Sequence, residues 1–133
     1  MPHIKLSEEV AEALERERPL VGLESTIFSH LGLPSPANQE ALARATAAIR
    51  SQGAVPAVTA IIDGIPRVGL EESEQESILG PARKTAERDI AVAVAQRWSV
   101  GATTVSASLA LCAEVGIPVF ATGGIGGVHH GSE

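Results

Sequence analysis

The run from Val55 to Ile62 limits the fold more than any other stretch. It is a buried run rich in β-branched residues, so it reads as a strand. Asp63-Gly64 follows as a tight-turn signal, and Ile65 to Leu70 can return as an antiparallel strand. Two more apolar runs, Pro19 to Leu23 and Ile117 to Thr122, also read as strands. The stretches between them have helical spacing. Ser7 can cap a helix to Arg16 that turns Val10, Ala13 and Leu14 to one face. Asn38 can cap a second, with Leu42, Ala45, Thr46 and Ile49 at helical intervals and Gly53 closing it. Thr85 can cap a third to about Trp98, and Ser106 or Ser108 a fourth that ends at Gly116. The acidic stretch Glu71 to Leu79 reads as a helix or helical turn with a solvated face rather than as a metal site. Strands alternating with helices, plus one hairpin, predict an α/β fold with a mixed sheet.

Composition narrows the function classes. The 133 residues are 44% hydrophobic and 20% charged, which suits one globular domain with a core. The net charge is −6 and no block of Lys or Arg stands out, which argues against a nucleic-acid surface. No stretch approaches a membrane span, and Met1 to Arg18 lacks the apolar region of a signal peptide. Cys112, the single cysteine, lies in an apolar run and reads as a small core residue; its use fits a reducing cytoplasm. The lysines are Lys5 and Lys84, so Lys84 is worth weighing individually.

Four loops carry groups with complementary chemistry. The first strand ends in Glu24 and opens into a polar loop with Ser25, Thr26, Ser29 and His30, the way open α/β sheets build sites. Lys84 precedes an expected helix start, and Thr103, Thr104 and the Val105 amide precede another. A lysine beside free amides at a helix start suits a phosphate. The last strand delivers Thr122 into the glycine loop Gly123 to Gly127, followed by His129 and His130. That loop matches neither standard nucleotide fingerprint, though its glycines permit close approach of backbone to a ligand. Adjacent histidines do not suit one ion; a single imidazole at the edge of a site fits better. The residues alone leave open a solvated Glu24, a solvent-facing Lys84 and a plain glycine turn.

Taken together, these stretches resemble the pseudouridine-5'-phosphate glycosidases, the family that includes the indigoidine synthase A-like proteins. The matching segments are Gly22-Leu-Glu-Ser-Thr26 with its following Ser-His and Pro-x-Pro-x-Asn, and Gln52-Gly-Ala-Val-Pro-Ala57. Lys84, Arg88-Asp89, Gly101-Ala-Thr-Thr-Val105 and Val119-Phe-Ala-Thr-Gly-Gly-Ile-Gly-Gly-Val-His129 continue in the family's order. The resemblance implies an α/β/α sandwich around a mixed, mostly parallel sheet. It implies reversible cleavage of the C-glycosidic bond of pseudouridine 5'-phosphate, with water, to uracil and ribose 5-phosphate. Glu24 matches the glutamate that gives or takes the proton. Lys84, Thr104, Val105, Thr122 and His129 match positions that bind substrate. A homotrimer and a manganese ion near the phosphate are implied as well.

The chain also departs from the pattern. The family's manganese aspartate and Schiff-base lysine follow the glycine loop, and neither has a counterpart in these residues. Lys84 matches the substrate-binding lysine and is not that nucleophile. The expectation is a single, incomplete α/β domain over residues 1–133, with the C-terminal part of the sandwich missing, and doubtful turnover by this chain alone. The alternative of a different class is a non-catalytic remnant that binds a sugar phosphate or pairs with other subunits.

Overall fold

The structure is a computed structural model that describes residues 2–126 and 130–131. Its centre is β3 (Val55–Ile62), buried along nearly its whole length. Odd-numbered Val55, Ala57 and Ile61 enter one apolar cluster, and even-numbered Val58, Ala60 and Ile62 enter a second. A strand with side chains alternating between two cores must lie in a sheet covered on both sides. Helices α1 (Glu8–Glu15), α3 (Ile90–Ala95) and α4 (Val105–Val115) supply Val10, Ala93 and Leu111 to the first cluster. Helix α2 (Ala37–Ser51) supplies Leu42 to the second, with Ile78 from a 3-10 helix, Glu72–Ile78. The result is the expected α/β/α sandwich.

The sheet is mixed and mostly parallel. Strands β1 (Lys5–Leu6), β4 (Ile65–Val68), β3, β2 (Leu20–Leu23) and β7 (Phe120–Ala121) lie in that spatial order. β2 runs parallel to β3 and to β7, and β1 parallel to β4. The β3–β4 hairpin is antiparallel, as the turn signal requires, with Asp63 and Gly64 both at positive φ. Three strands are absent from the sequence reading: β1, and the pair that completes the sheet, β5 (Arg83–Thr85) parallel to β6 (Val100–Thr103).

β6 runs antiparallel to β3 at Ile61 and Ile62, on the flank that β2 occupies at Val55 to Val58. The carboxyl ends of β2 and β6 therefore meet head to head beside Thr59. Buried hydroxyls join them there. Ser25 Oγ lies 3.0 Å from Thr103 Oγ1 and accepts from the Thr103 amide at 2.9 Å. Thr59 Oγ1 lies 2.8 Å from Thr103 Oγ1 and 2.9 Å from Ser108 Oγ, tying in α4. Buried polar groups with every partner in place set one arrangement of the chain. Gly22 has a similar positioning role: a Cβ there would lie 2.5 Å from Cys112 Sγ, so only glycine lets α4 pack this closely on β2. Cys112 is 2% exposed, the core residue the sequence suggests, and burial pushes its thiol up to about 11.

The flank at β7 is apolar and open. Val119 is 53% exposed, Leu109 45% and Ile125 75%. Grooves of about 450 Å³ and 420 Å³ line it, one along α4 and Phe120, the other along α1, Leu20 and Val119. Apolar surface of this kind drives association. The isolated 133-residue chain is expected to associate as concentration rises, read by sedimentation velocity. A monodisperse monomer from micromolar to millimolar concentration would contradict this.

Candidate active site

Four strands deliver their carboxyl ends to one place. β2 and β7 arrive from one direction, and β6 and its parallel neighbour β5 arrive from the other. The groups singled out in the sequence sit at these ends. Glu24 directly follows β2 and Thr122 directly follows β7. Thr104 follows β6 and precedes α4, whose first residue is Val105. Lys84 lies within β5, opposite Ala102.

Glu24 and Thr122 are in contact. The Leu23–Ala121 pair puts them opposite each other at the next step of the register. The Thr122 hydroxyl donates to Glu24 Oε1. Both line a cleft of about 260 Å³ between β2, β7 and α2, walled by Ile27, Phe28, Ala41 and Ala45. The cleft is thus apolar, with one carboxylate and one hydroxyl at its wall. A carboxylate in that setting, with no second charged side chain among the described residues of the lining, is placed to take or give one proton.

Lys84, Thr104 and Val105 do not line this cleft. They form a neighbouring group, joined to it through the buried hydroxyls. The Thr104 amide donates to the Thr85 carbonyl at 3.0 Å, which places the residue after Lys84 against the start of α4. Ser25, the residue after Glu24, bonds Thr103 on the other side. Thr26 Oγ1 adds bonds to the carbonyls of Ala102 and Thr103, at 3.1 and 2.8 Å. The Thr104 side chain caps none of the first α4 amides, which leaves the dipole's positive end without a side-chain cap.

Several expectations at this edge need correction. Lys84 does not precede a helix; it is an exposed residue of β5. Thr85 is fully buried and bonds the Arg83 carbonyl instead of capping a helix. The helix expected to reach Trp98 is a 3-10 turn, Glu87–Asp89, followed by α3, and Trp98 lies beyond it with the Arg83 guanidinium 3.8 Å above its ring. Neither Ser106 nor Ser108 caps α4; Thr104 holds that position, and Ser108 returns its hydroxyl to the Thr104 carbonyl. Asn38 does not cap α2. It is buried, and its amide donates to the carbonyls of Phe28 and Leu79, pinning the loop after Glu24. Ser29 closes that loop internally through the Thr26 carbonyl, and His30 is exposed. His129 lies outside the described residues. The sequence reading missed Thr59 and the core role of Ser108; a hydroxyl within an otherwise apolar strand was the available signal.

Residues 9–133 match the family model described as indigoidine synthase A like protein. The chain belongs to the indigoidine synthase A-like family. Its curated family relatives include the pseudouridine-5'-phosphate glycosidase of Mycoplasmopsis agalactiae, 50% identical over 98% of this chain and 44% of that protein. The enzyme of the same name from Arabidopsis thaliana is 51% identical over 95% of this chain and 38% of that protein. Among solved structures, the prealnumycin C-glycosynthase AlnA in complex with ribulose 5-phosphate has the same fold, with a TM-score of 0.82. It is 37% identical over 97% of this chain and 41% of its own. This indigoidine synthase A-like chain thus spans roughly two fifths of the length of the relatives it matches.

Proposed function

We propose that this chain carries the proton-transfer part of a pseudouridine-5'-phosphate glycosidase site. The observation that supports it best is Glu24, held by Thr122 at the carboxyl ends of β2 and β7, beside a helix start without a side-chain cap. The relatives bearing that name are about half identical to the chain across this region.

The reaction splits a carbon–carbon bond. Its electron pair stays with the base carbon, which must take a proton as uracil leaves. Glu24 in its acid form gives that proton, and its carboxylate takes it back in the reverse direction. The α4 amides at Val105, with Thr104 and Lys84, hold the phosphate, and Thr122 and His129 line the rest of the pocket. The same reading includes a homotrimer in the cytoplasm. No helix among the described residues is long and apolar enough to cross a membrane.

The resemblance implies a manganese ion whose aspartate ligand would follow the glycine loop, outside these residues. No three His, Cys, Asp or Glu side chains among the described residues come together.

The phosphate assignment is tested by titrating the chain with pseudouridine 5'-phosphate. Lys84→Ala removes a charge-assisted bond of about 1.5–3 kcal/mol, so binding is expected to weaken roughly ten- to hundredfold. Glu24→Gln is expected to leave that affinity within a few-fold. Unchanged affinity in Lys84→Ala would remove Lys84 from the phosphate site.

A further inference from the structure

The single bond between Thr122 and Glu24 raises a physical problem if Glu24 is to cycle between acid and carboxylate. An ionised carboxylate only accepts hydrogen bonds, whereas a protonated one must also donate. A donor fixed on Oε1 suits the ionised state, but in the acid state it leaves the carboxyl proton without an acceptor among the described side chains. Thr122 is not a fixed donor. Its hydroxyl donates to Glu24 Oε1, and a second acceptor, the Gly124 carbonyl, lies 3.4 Å away. The Gly124 amide approaches the same hydroxyl oxygen at 3.5 Å. Among the described residues, the rest of the cleft lining, from β2, the turn after it, α2 and the β7 end, includes no second charged group. Thr122 is also the one side chain among the described residues that bonds the Glu24 carboxylate.

We propose that Thr122 is a positioning residue that holds Glu24 in both protonation states by exchanging acceptors. With Glu24 ionised, the Thr122 proton points to Oε1. With Glu24 protonated, the carboxyl proton is donated to Thr122 Oγ1, and the Thr122 proton turns to the Gly124 carbonyl. Thr122 gains and loses no proton; its hydroxyl rotates about χ1-fixed Cβ–Oγ1. The carboxyl group therefore keeps its orientation through the whole proton cycle, and reacting groups must stay aligned for the transfer to be fast. This inference rests on the acid/base reading of Glu24.

The test uses the 133-residue chain with labelled glutamate side chains. Three-bond couplings of Glu24 are measured by NMR with its carboxyl ionised and with it protonated. Wild type and Thr122→Ser are expected to show one Glu24 rotamer in both states. Thr122→Val, which keeps the shape and loses the hydroxyl, is expected to show averaged couplings in both. A single rotamer in Thr122→Val would overturn the proposal. So would averaging in wild type once Glu24 is protonated, a result that decides the matter even if the valine variant disturbs the strand end. These couplings are independent of turnover, so a failure of the reaction assignment and a failure of this proposal are told apart.

Discussion

Replacing Glu74 with alanine is expected to destabilise the fold by about 3 kcal/mol, the low end for an ion pair broken from one side, because Arg67 is buried but Glu74 only half-buried. Arg67, on β4, is 3% exposed. Both of its terminal nitrogens donate to the Glu74 carboxylate, and its Nε has no partner among the described residues. Without Glu74 a guanidinium stays buried and uncompensated. Urea unfolding of Glu74→Ala against wild type measures the loss. A change below about 1 kcal/mol would mean that water reaches Arg67.

The same pair predicts how stability depends on pH. The hydrogen bonds from Arg67 hold the Glu74 carboxyl below its ordinary value of 4.5; burial opposes this, and the Glu71 amide adds to it. A carboxyl with a lowered folded value stabilises the protein fully above its unfolded value. That contribution is lost as pH falls through the folded value. Wild-type stability is therefore expected to drop below about pH 4.5, with a shallower drop in Glu74→Ala. The clamp also matters to the site. It holds the 3-10 helix that leads to Leu79 and Gly80, whose carbonyls accept from Asn38 and the His30 amide. Those bonds fix the loop that begins just after Glu24.

The largest effect on activity is expected at Glu24. Glu24→Gln keeps the size of the side chain and its capacity to accept from Thr122, but it cannot cycle a proton. General acid–base groups contribute about 10²–10⁴ in rate, so turnover by a protein of the relatives' full length carrying these residues should fall by at least that factor. The 133 residues alone are expected to release no uracil. Covalent catalysis on the opened sugar needs an activated amine, and Lys84, exposed on β5 outside the Glu24 cleft, is assigned to the phosphate.

How much of this could be read from the sequence depends on distance along the chain. The β3–β4 hairpin was legible because a long apolar run and Asp63-Gly64 are local signals. Helix α1 was legible because the Ser7 cap and the Val10–Ala13 face lie within one turn of each other. β1 and β5 were not, because they are two or three residues long and carry Lys5, Arg83 and Lys84. β6 was hidden by its small residues, Gly101 and Ala102, which suit a loop as well as a crowded strand. Thr85 and Asn38 resembled helix caps because their side chains are cap formers. Their actual partners, the Arg83 carbonyl in one case and Phe28 and Leu79 in the other, follow from the tertiary fold. The resemblance named Glu24 and Thr122 as members of one site. Their contact depends on a strand register spanning 98 residues, which no local pattern encodes.

The proton-transfer role of Glu24 is tested most directly in a protein of the relatives' full length. These 133 residues are joined to the remainder of the Mycoplasmopsis agalactiae glycosidase, and uracil release from pseudouridine 5'-phosphate is measured with Glu24 and with Glu24→Gln. Release by the first, reduced at least a hundredfold in the second at unchanged substrate affinity, is the predicted result. Equal rates from the two would contradict the assignment of Glu24 as the group that moves the proton.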